Sequence, residues 1–140
     1  MFGTIVVGVD ASAHADHAVQ TVAKMAAATG DKVVVVHGLV VHLAKAGSYP
    51  TESTADAQQL VDRHVAQLAS AGVSATGEVH QDPDVGIGSV LLDVAASHQA
   101  GLIVVGTRVR SDLASMLLGS VAHEAVHKSP VPVLVVPERS

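Results

Sequence analysis

The feature that most constrains the fold is a regular alternation between short valine-rich runs and longer alanine-rich segments. Short apolar runs of this kind predict buried β-strands, here at residues 4–10, 32–38, 74–81, 102–106 and 130–137. Helical periodicity fills the gaps between them. The first predicted helix starts after Ser12 and stops at Gly30, and the others cover residues 55–71, 89–98 and 120–128.

This alternation predicts an α/β fold with a doubly wound, five-stranded sheet of parallel type. Parallel strands need crossover connections, and right-handed crossovers place helices on both faces of the sheet. We expect a Rossmann-like arrangement with strand order 3-2-1-4-5, formed by one domain over residues 1–140. Residues 39–54, with Gly47 and Pro50, predict an irregular polar loop. The sequence leaves open whether this loop closes over a ligand.

Composition narrows the classes of function. Phe2 and Tyr49 are the only aromatic residues, and the formal net charge is −5. A chain without a broad basic surface or stacking aromatics is not expected to bind nucleic acid. Cysteine is absent, which excludes disulfides and fits a cytoplasmic protein. We expect no signal peptide and no membrane span, because no apolar run reaches the ~18 residues that a span requires.

A ligand site is expected where the strand order reverses. In open α/β sheets ligands bind beyond the carboxyl ends of the strands at that point. Asp10 ends the first predicted strand and Gly106 ends the fourth. A carboxylate at position 10 can accept hydrogen bonds from ribose hydroxyls. The alternative is that Asp10 is a turn or helix-capping residue, and the sequence favours neither.

The segment from Gly106 to Ser120 has features of a phosphate-binding loop. Gly119 and Ser120 open a predicted helix, whose N-terminus offers unpaired N–H groups and a positive dipole end. Arg108 and Arg110 lie in the segment between. The alternative is an ordinary loop with a glycine turn and Ser120 as the helix N-cap.

The chain resembles the universal stress protein family over essentially its whole length. The resemblance rests on VGVDAS near the start, HG after the second strand, LLGSVA and SPVPVLVV, and on the family pattern G-x2-G-x9-G-[ST]. Together these imply a stress-response regulatory protein of the adenine-nucleotide-binding fold type, with ATP, ADP or AMP bound, with or without Mg²⁺. The implied site consists of Gly8, Val9, Asp10, Gly38, Val105, Gly106, Arg108, Val109, Arg110, Gly119, Ser120 and Val121. The resemblance also implies a homodimer formed through the last strand, Val131 to Val136.

One position departs from the family pattern. Val109 stands where the second glycine of the pattern is expected, and a β-branched residue disfavours positive φ and occupies space near the phosphates. Ala11 is a milder departure. Three alternatives follow: ATP binds with a rearranged loop and help from Arg108 or Arg110, AMP or a related nucleotide is preferred, or no nucleotide binds. In the last case the protein would act through homodimerisation and partner contacts.

The stretch HEAVH, residues 123–127, matches the zinc-protease pattern H-E-x-x-H. Val121, Ala122, Ala125 and Val126 are predicted to form the apolar side of this helix, with His123 and His127 facing solvent. No flanking pattern supplies the third ligand that a zinc protease needs. We therefore predict no protease activity, although an exposed histidine pair at this spacing can capture Zn²⁺ or Ni²⁺.

The remaining histidines do not indicate catalysis. His17 is predicted to face solvent. His37 ends the second strand and either lines an adenine pocket or packs internally. No G-x-S-x-G sequence supports a catalytic triad. The expected turnover of ATP is slow or absent.

Overall fold

A computed structural model describes residues 1–39, 41–44, 47–50, 53–81, 86–109 and 119–139. Among these residues no helix is both long and apolar enough to cross a membrane. The described elements, in chain order, are β1 (Thr4–Gly8), α1 (Ala13–Thr29), β2 (Lys32–Leu39), β3 (Val41–Ala44), β4 (Gly47–Pro50), α2 (Thr54–Ser70), β5 (Ala75–Gln81), α3 (Ile87–Ser97), β6 (Leu102–Val109), α4 (Ser120–Lys128) and β7 (Val133–Arg139).

The main sheet has five strands in the order β5-β2-β1-β6-β7, and every neighbouring pair is parallel. Numbered among the sheet's own strands, this is the order 3-2-1-4-5, so the predicted fold is confirmed. β1 lies at the centre, where Val7 pairs with Val35 of β2 and with Val104 of β6.

The two faces of the sheet are covered by different helices, because alternate residues of a strand point to opposite faces. Ile5 and Val7 of β1 belong to a core with α1 and α2, which includes Val22 and Leu68. Val6 belongs to the opposite core. There it packs with the buried residues of α3 and α4, which include Val90, Leu91, Val94 and Ala122. Burial of each valine or leucine contributes about 1.5–3 kcal/mol, so an aliphatic core suffices without aromatics.

Several strand bounds differ from the predictions. β1 ends at Gly8, whereas the prediction extended it to Asp10, and β6 continues three residues past Gly106 to Val109. β7 begins at Val133, after Pro130 and Pro132. Proline has no N–H to donate to a sheet ladder, which accounts for the late start. Pro137 lies within β7, where an edge strand tolerates it.

The prediction of an irregular loop over residues 39–54 is wrong in part. Leu39 still belongs to β2, and Thr54 already begins α2. Between them, β3 and β4 form a separate antiparallel pair in which Val41 pairs with Pro50 and Ala44 with Gly47. Gly47 and Pro50 therefore mark strand ends, a role that a sequence pattern does not separate from a loop.

The first residues of the chain are held by a buried carboxylate. The side chain of Asp31 accepts hydrogen bonds from the amino group of Met1 at 2.9 Å, from the backbone N–H groups of Phe2 and Gly3 and from the hydroxyl of Thr29. The contact with the amino group, followed by these hydrogen bonds, holds the pKa of Asp31 far below its usual value, although burial opposes the shift. Asp31 thus holds in place the residues that precede β1.

Candidate functional site

The sheet reverses direction between β1 and β6. The chain passes from β1 through α1 to β2 on one side, and from β6 through α4 to β7 on the other. Gly8 at the end of β1 pairs with Val105 of β6, and the two connections leave the sheet in opposite directions. The carboxyl ends of β1 and β6 therefore flank the crevice in which open α/β sheets bind ligands.

Two predicted site glycines have packing partners. A Cβ on Gly8 would lie 2.9 Å from Cδ1 of Leu91, and a Cβ on Gly38 would lie 2.8 Å from Cγ1 of Ile87. Both contacts involve α3, which can approach the sheet closely because these positions have no side chain. The glycines are therefore explained by helix packing alone, and their place in a ligand site stays a prediction.

Asp10 organises the turn that leads from β1 into α1. Its Oδ1 accepts a hydrogen bond from the backbone N–H of Ser12 at 2.9 Å, and the hydroxyl of Ser12 donates to the same oxygen. Ser12 occupies the N-cap position of α1, as predicted, but makes no side-chain cap hydrogen bond. Asp10 is exposed. Asp10 therefore has the turn role that the sequence left open, and its exposed position also suits contact with a ligand.

His37 joins the carboxyl ends of β1 and β2. It is buried, and its Nδ1 lies 2.8 Å from the carbonyl oxygen of Val9. A carbonyl oxygen only accepts, so Nδ1 carries the proton of this hydrogen bond. The backbone N–H of Val9 donates to the carbonyl of Val36 at 2.9 Å. Of the two predicted roles of His37, internal packing is confirmed, and contact with adenine stays a prediction.

The region around Val109 differs from the predicted loop. Arg108 and Val109 continue β6, and they pair with Glu138 and Arg139 of β7. The one residue other than glycine with positive φ in the described parts of the chain is Gln99. The extended backbone at Val109 therefore needs no glycine, and the predicted φ penalty does not arise. Arg110 lies outside the described residues.

The N-terminus of α4 follows β6. Gly119 is the N-cap residue, with φ −61° and ψ 163°, and it makes no side-chain cap hydrogen bond. The prediction of Ser120 as an N-cap is therefore wrong, because Ser120 is already the first helical residue. Gly119 is exposed, and a Cβ placed on it would meet no atom of the described residues within 4 Å. The first-turn amides of a helix have no partner within the helix, and they favour an anion.

Val105 and Val121 complete the set of predicted site residues. Val105 is buried in the core that α3 and α4 cover, so only its backbone can take part in a ligand site. Val121 is partly buried against the same core. Both were predicted as site residues from their positions in the family motif. Motif position does not distinguish a core residue from a residue that contacts a ligand.

The HEAVH helix orients its residues largely as predicted. His123 and His127 are exposed, and Ala122 and Ala125 are buried. Val126 is 45% exposed, so its predicted place on the apolar side is wrong: α4 buries a narrower stripe than its sequence suggests. Within the parts of the chain that are described, no three histidine, aspartate or glutamate side chains are placed to hold a metal.

Glu124 of this motif is engaged in packing between helices. Its carboxylate accepts a hydrogen bond from the hydroxyl of Ser89, and it lies against Gly86 and Gly88 at the start of α3. A carboxylate near the positive end of a helix dipole is stabilising. Glu124 therefore anchors α4 to α3.

Sequence reasoning missed a buried histidine. His64 of α2 is fully buried, and neither ring nitrogen has a hydrogen-bond partner among the residues that the structure describes. Its Nε2 lies 3.7 Å from Oδ1 of Asp16 on α1, and Nη2 of Arg63 lies at the same distance from that oxygen. Burial first, and the Arg63 charge second, lower the pKa of His64 below its usual value. Its place on the apolar face of α2, in step with Val61 and Leu68, was the available signal.

The fold and the crevice define a class: doubly wound α/β domains whose ligand site lies at the reversal of strand order. The model of the universal stress protein family matches residues 1–137. The chain belongs to the universal stress protein family.

Solved structures of this family have the same fold. A universal stress protein from Archaeoglobus fulgidus is 25% identical, with a TM-score of 0.79 and coverage of 97% of this chain and 99% of that chain. The structure of the universal stress protein from the same organism in complex with dAMP is 24% identical, with a TM-score of 0.75 and coverage of 96% and 98%. A universal stress protein in complex with cAMP is 23% identical, with a TM-score of 0.75 and coverage of 97% of each chain. No curated protein sequence matches the chain.

Proposed function

We propose that this protein is a stress-response regulator that binds an adenine nucleotide in the crevice between β1 and β6. The proposal rests on membership of the family and on relatives described as complexes with dAMP and cAMP. The single observation that carries it is the N-terminus of α4, the next described element after β6, where the N-cap residue Gly119 provides no side-chain cap. Oriented backbone amides at such a terminus form a site for phosphate.

Each part of the nucleotide has a chemically suited partner in this arrangement. The carboxylate of Asp10 accepts hydrogen bonds from ribose hydroxyls. The amides at Gly119, Ser120 and Val121 donate to phosphate oxygens, and the exposed Gly119 leaves room for close approach. Arg108 and Arg110 supply positive charge for further phosphates, with or without Mg²⁺.

Val109 governs which nucleotide is preferred. Its backbone is extended and paired with β7, so β6 does not turn at the position where the family pattern has its second glycine. A turn of the backbone around a triphosphate at that position would require this pairing to break. The site therefore favours AMP over ATP.

Calorimetric titration of AMP and ATP, with and without Mg²⁺, tests the proposal. Wild type should bind AMP more tightly than ATP, and Val109→Gly should gain affinity mainly for ATP. Asp10→Asn is a matched variant, because the amide oxygen can still accept the hydrogen bond from Ser12. It should weaken the binding of both nucleotides by roughly tenfold, equivalent to about 1.4 kcal/mol. If neither wild type nor Val109→Gly binds, the site is misplaced.

A second candidate function is favoured by the position of β7. β7 is an edge strand that pairs with β6 on one side, and an unpaired edge is a template for pairing with another chain. The segment from Val131 to Val136 would then join two copies of the chain into a homodimer that acts through partner proteins without nucleotide. Sedimentation equilibrium with and without AMP distinguishes the cases: a monomer at all concentrations contradicts the dimer.

In either case we propose one domain over residues 1–140 that acts in the cytoplasm. Turnover of ATP should be slow or absent, because no general base or nucleophile stands out in the sequence. A radiolabelled ATP assay would detect hydrolysis. Loss of hydrolysis in Asp10→Asn at saturating ATP would identify Asp10 as more than a binding residue.

A further inference from the structure

Two histidines remain exposed on one side of α4 after the packing of this helix is accounted for. The ring centroids of His123 and His127 lie 4.2 Å apart, with the ring planes inclined at 52°. Residues four apart on a helix are neighbours on its surface, and the two rings already approach each other. The arrangement places two imidazoles within reach of one common ligand.

The backbone beneath this pair is held in place from the opposite side. Ala122 is buried in the core beside the sheet, Ala125 is buried as well, and Glu124 accepts a hydrogen bond from Ser89 of α3. The separation of the two histidine backbones is therefore set before any ligand arrives. Only rotation of exposed side chains is needed to bring both rings onto one ion, so little ordering entropy opposes binding.

We propose that His123 and His127 form a bidentate site for a transition-metal ion that prefers imidazole, such as Zn²⁺, Ni²⁺ or Cu²⁺. Imidazole nitrogens bind Zn²⁺ at about 2.0–2.1 Å, which places two tetrahedral donors about 3.3 Å apart. Rings with centroids 4.2 Å apart meet this spacing after small rotations. The proposal is independent of nucleotide binding.

The helix dipole favours a cation at this position, whereas the neighbouring Lys128 opposes one. His127 lies in the last turn of α4, where the helix dipole places its negative end. The chain as a whole carries a formal net charge of −5. Glu124 does not complete the ligand set because it is engaged with Ser89, so water or buffer ligands occupy the remaining coordination positions. This open set separates the site from a structural zinc site, which is closed by four protein ligands.

A second histidine cluster provides a contrast. His80 and His98 each place Nε2 near an oxygen of Glu78, at 2.7 Å and 2.5 Å. These ring nitrogens are already engaged with the carboxylate, so a metal ion would have to displace two charge-assisted hydrogen bonds. The pair on α4 has no such competitor in its described contacts, and it should fill first.

Calorimetric titration of the untagged chain with NiCl₂ at pH 7.5 tests the proposal. Wild type should bind one ion at the first step. His123→Gln and His127→Gln should each weaken this step by at least about tenfold, because either change removes one arm of the chelate. His17→Gln, at an exposed position on α1, is the matched control and should leave the affinity unchanged. Both glutamines suit an exposed helix, so circular dichroism should report an unchanged fold.

The double variant His123→Gln/His127→Gln tests whether the two histidines form the metal site. Retention of the first binding step in this variant would overturn the proposal. Losses of less than about twofold in each single variant would also overturn it, because they would indicate independent imidazoles without chelation. Titration with ZnCl₂ followed by NMR of the imidazole ring protons gives a second readout. Signals of His123 and His127 should shift together and saturate before those of the other seven of the nine histidines.

Discussion

The Nδ1 atom of His37 lies 2.8 Å from the carbonyl oxygen of Val9, and this hydrogen bond ties the end of β2 to the residue that follows β1. Val9 precedes Asp10 directly. The imidazole therefore helps to fix the backbone next to Asp10, the residue proposed to contact ribose. His37, a candidate for an adenine pocket, thus has a structural role in the folded chain.

Loss of the hydrogen bond between His37 and Val9 should lower the free energy of unfolding. His37→Leu removes the donor to a buried carbonyl, and we expect the free energy of unfolding to fall by about 1–3 kcal/mol. His37→Asn retains an N–H donor near the position of Nδ1 and should lose less than half as much. Urea denaturation monitored by circular dichroism measures both changes. Equal losses in the two variants would contradict a role for the hydrogen bond.

The close approach of α3 to β1 should make Gly8 intolerant of a side chain. Gly8→Ala would place Cβ 2.9 Å from Cδ1 of Leu91, which is fully buried. We expect a loss of about 1–3 kcal/mol in the free energy of unfolding, because overpacking forces side chains from their preferred rotamers. Gly119→Ala is the control. Its Cβ would meet no atom of the described part of the chain within 4 Å, so this change should lower the free energy of unfolding by less than about 1 kcal/mol in thermal or urea denaturation.

The buried ring of His64 should make stability depend on pH. Its pKa is lowered in the folded protein by burial, so below the usual histidine pKa of about 6.5 the unfolded chain binds a proton that the folded chain does not. Stability should therefore decline as pH falls below about 6.5. His64→Leu removes two buried nitrogens that have no hydrogen-bond partner within the described part of the chain, and it should raise the free energy of unfolding at pH 7 by roughly 1 kcal/mol.

Urea unfolding of wild type and His64→Leu between pH 5 and 7.5 provides the measurement. The stability of the variant should vary less over this range than that of wild type. His17→Leu removes an exposed histidine and should leave the slope unchanged. A wild-type slope that persists in His64→Leu would assign the pH dependence to other groups.

Asp31 should make a second contribution to the pH dependence of stability, in a more acidic range. Its pKa is depressed in the folded protein, chiefly by the amino group of Met1, so its stabilising effect is present above the unfolded pKa of about 3.9. This effect is lost as pH falls below that value. Asp31→Asn should lower the free energy of unfolding at pH 7 by about 1–3 kcal/mol and reduce acid sensitivity below pH 4. Acid titration monitored by circular dichroism compares the two proteins.

The extent of each strand depended on pairing that the sequence does not reveal. Val109 carries no local signal that separates a strand residue from a loop residue, and its assignment to β6 follows from pairing with Arg139 across the sheet. The antiparallel pair of β3 and β4 could not be predicted for a similar reason. Glycine and proline, here Gly47 and Pro50, occur at strand ends as well as in loops. Contacts between residues distant in sequence determine the end of β6 and the pairing of β3 with β4.

The sequence alone determined the layers of the fold and the location of the crevice. Short valine-rich runs separated by helical segments permit few arrangements other than parallel strands with crossovers, and Gly30, with φ 79°, ends α1 where predicted because glycine adopts this backbone conformation without strain. The tertiary structure decided what individual polar side chains do. His64 is buried 3.7 Å from Asp16, Glu124 anchors α4 to α3, and Asp31 holds the chain ahead of β1. Each role depends on which neighbour the folded chain brings within a few ångströms, and sequence periodicity does not encode those distances.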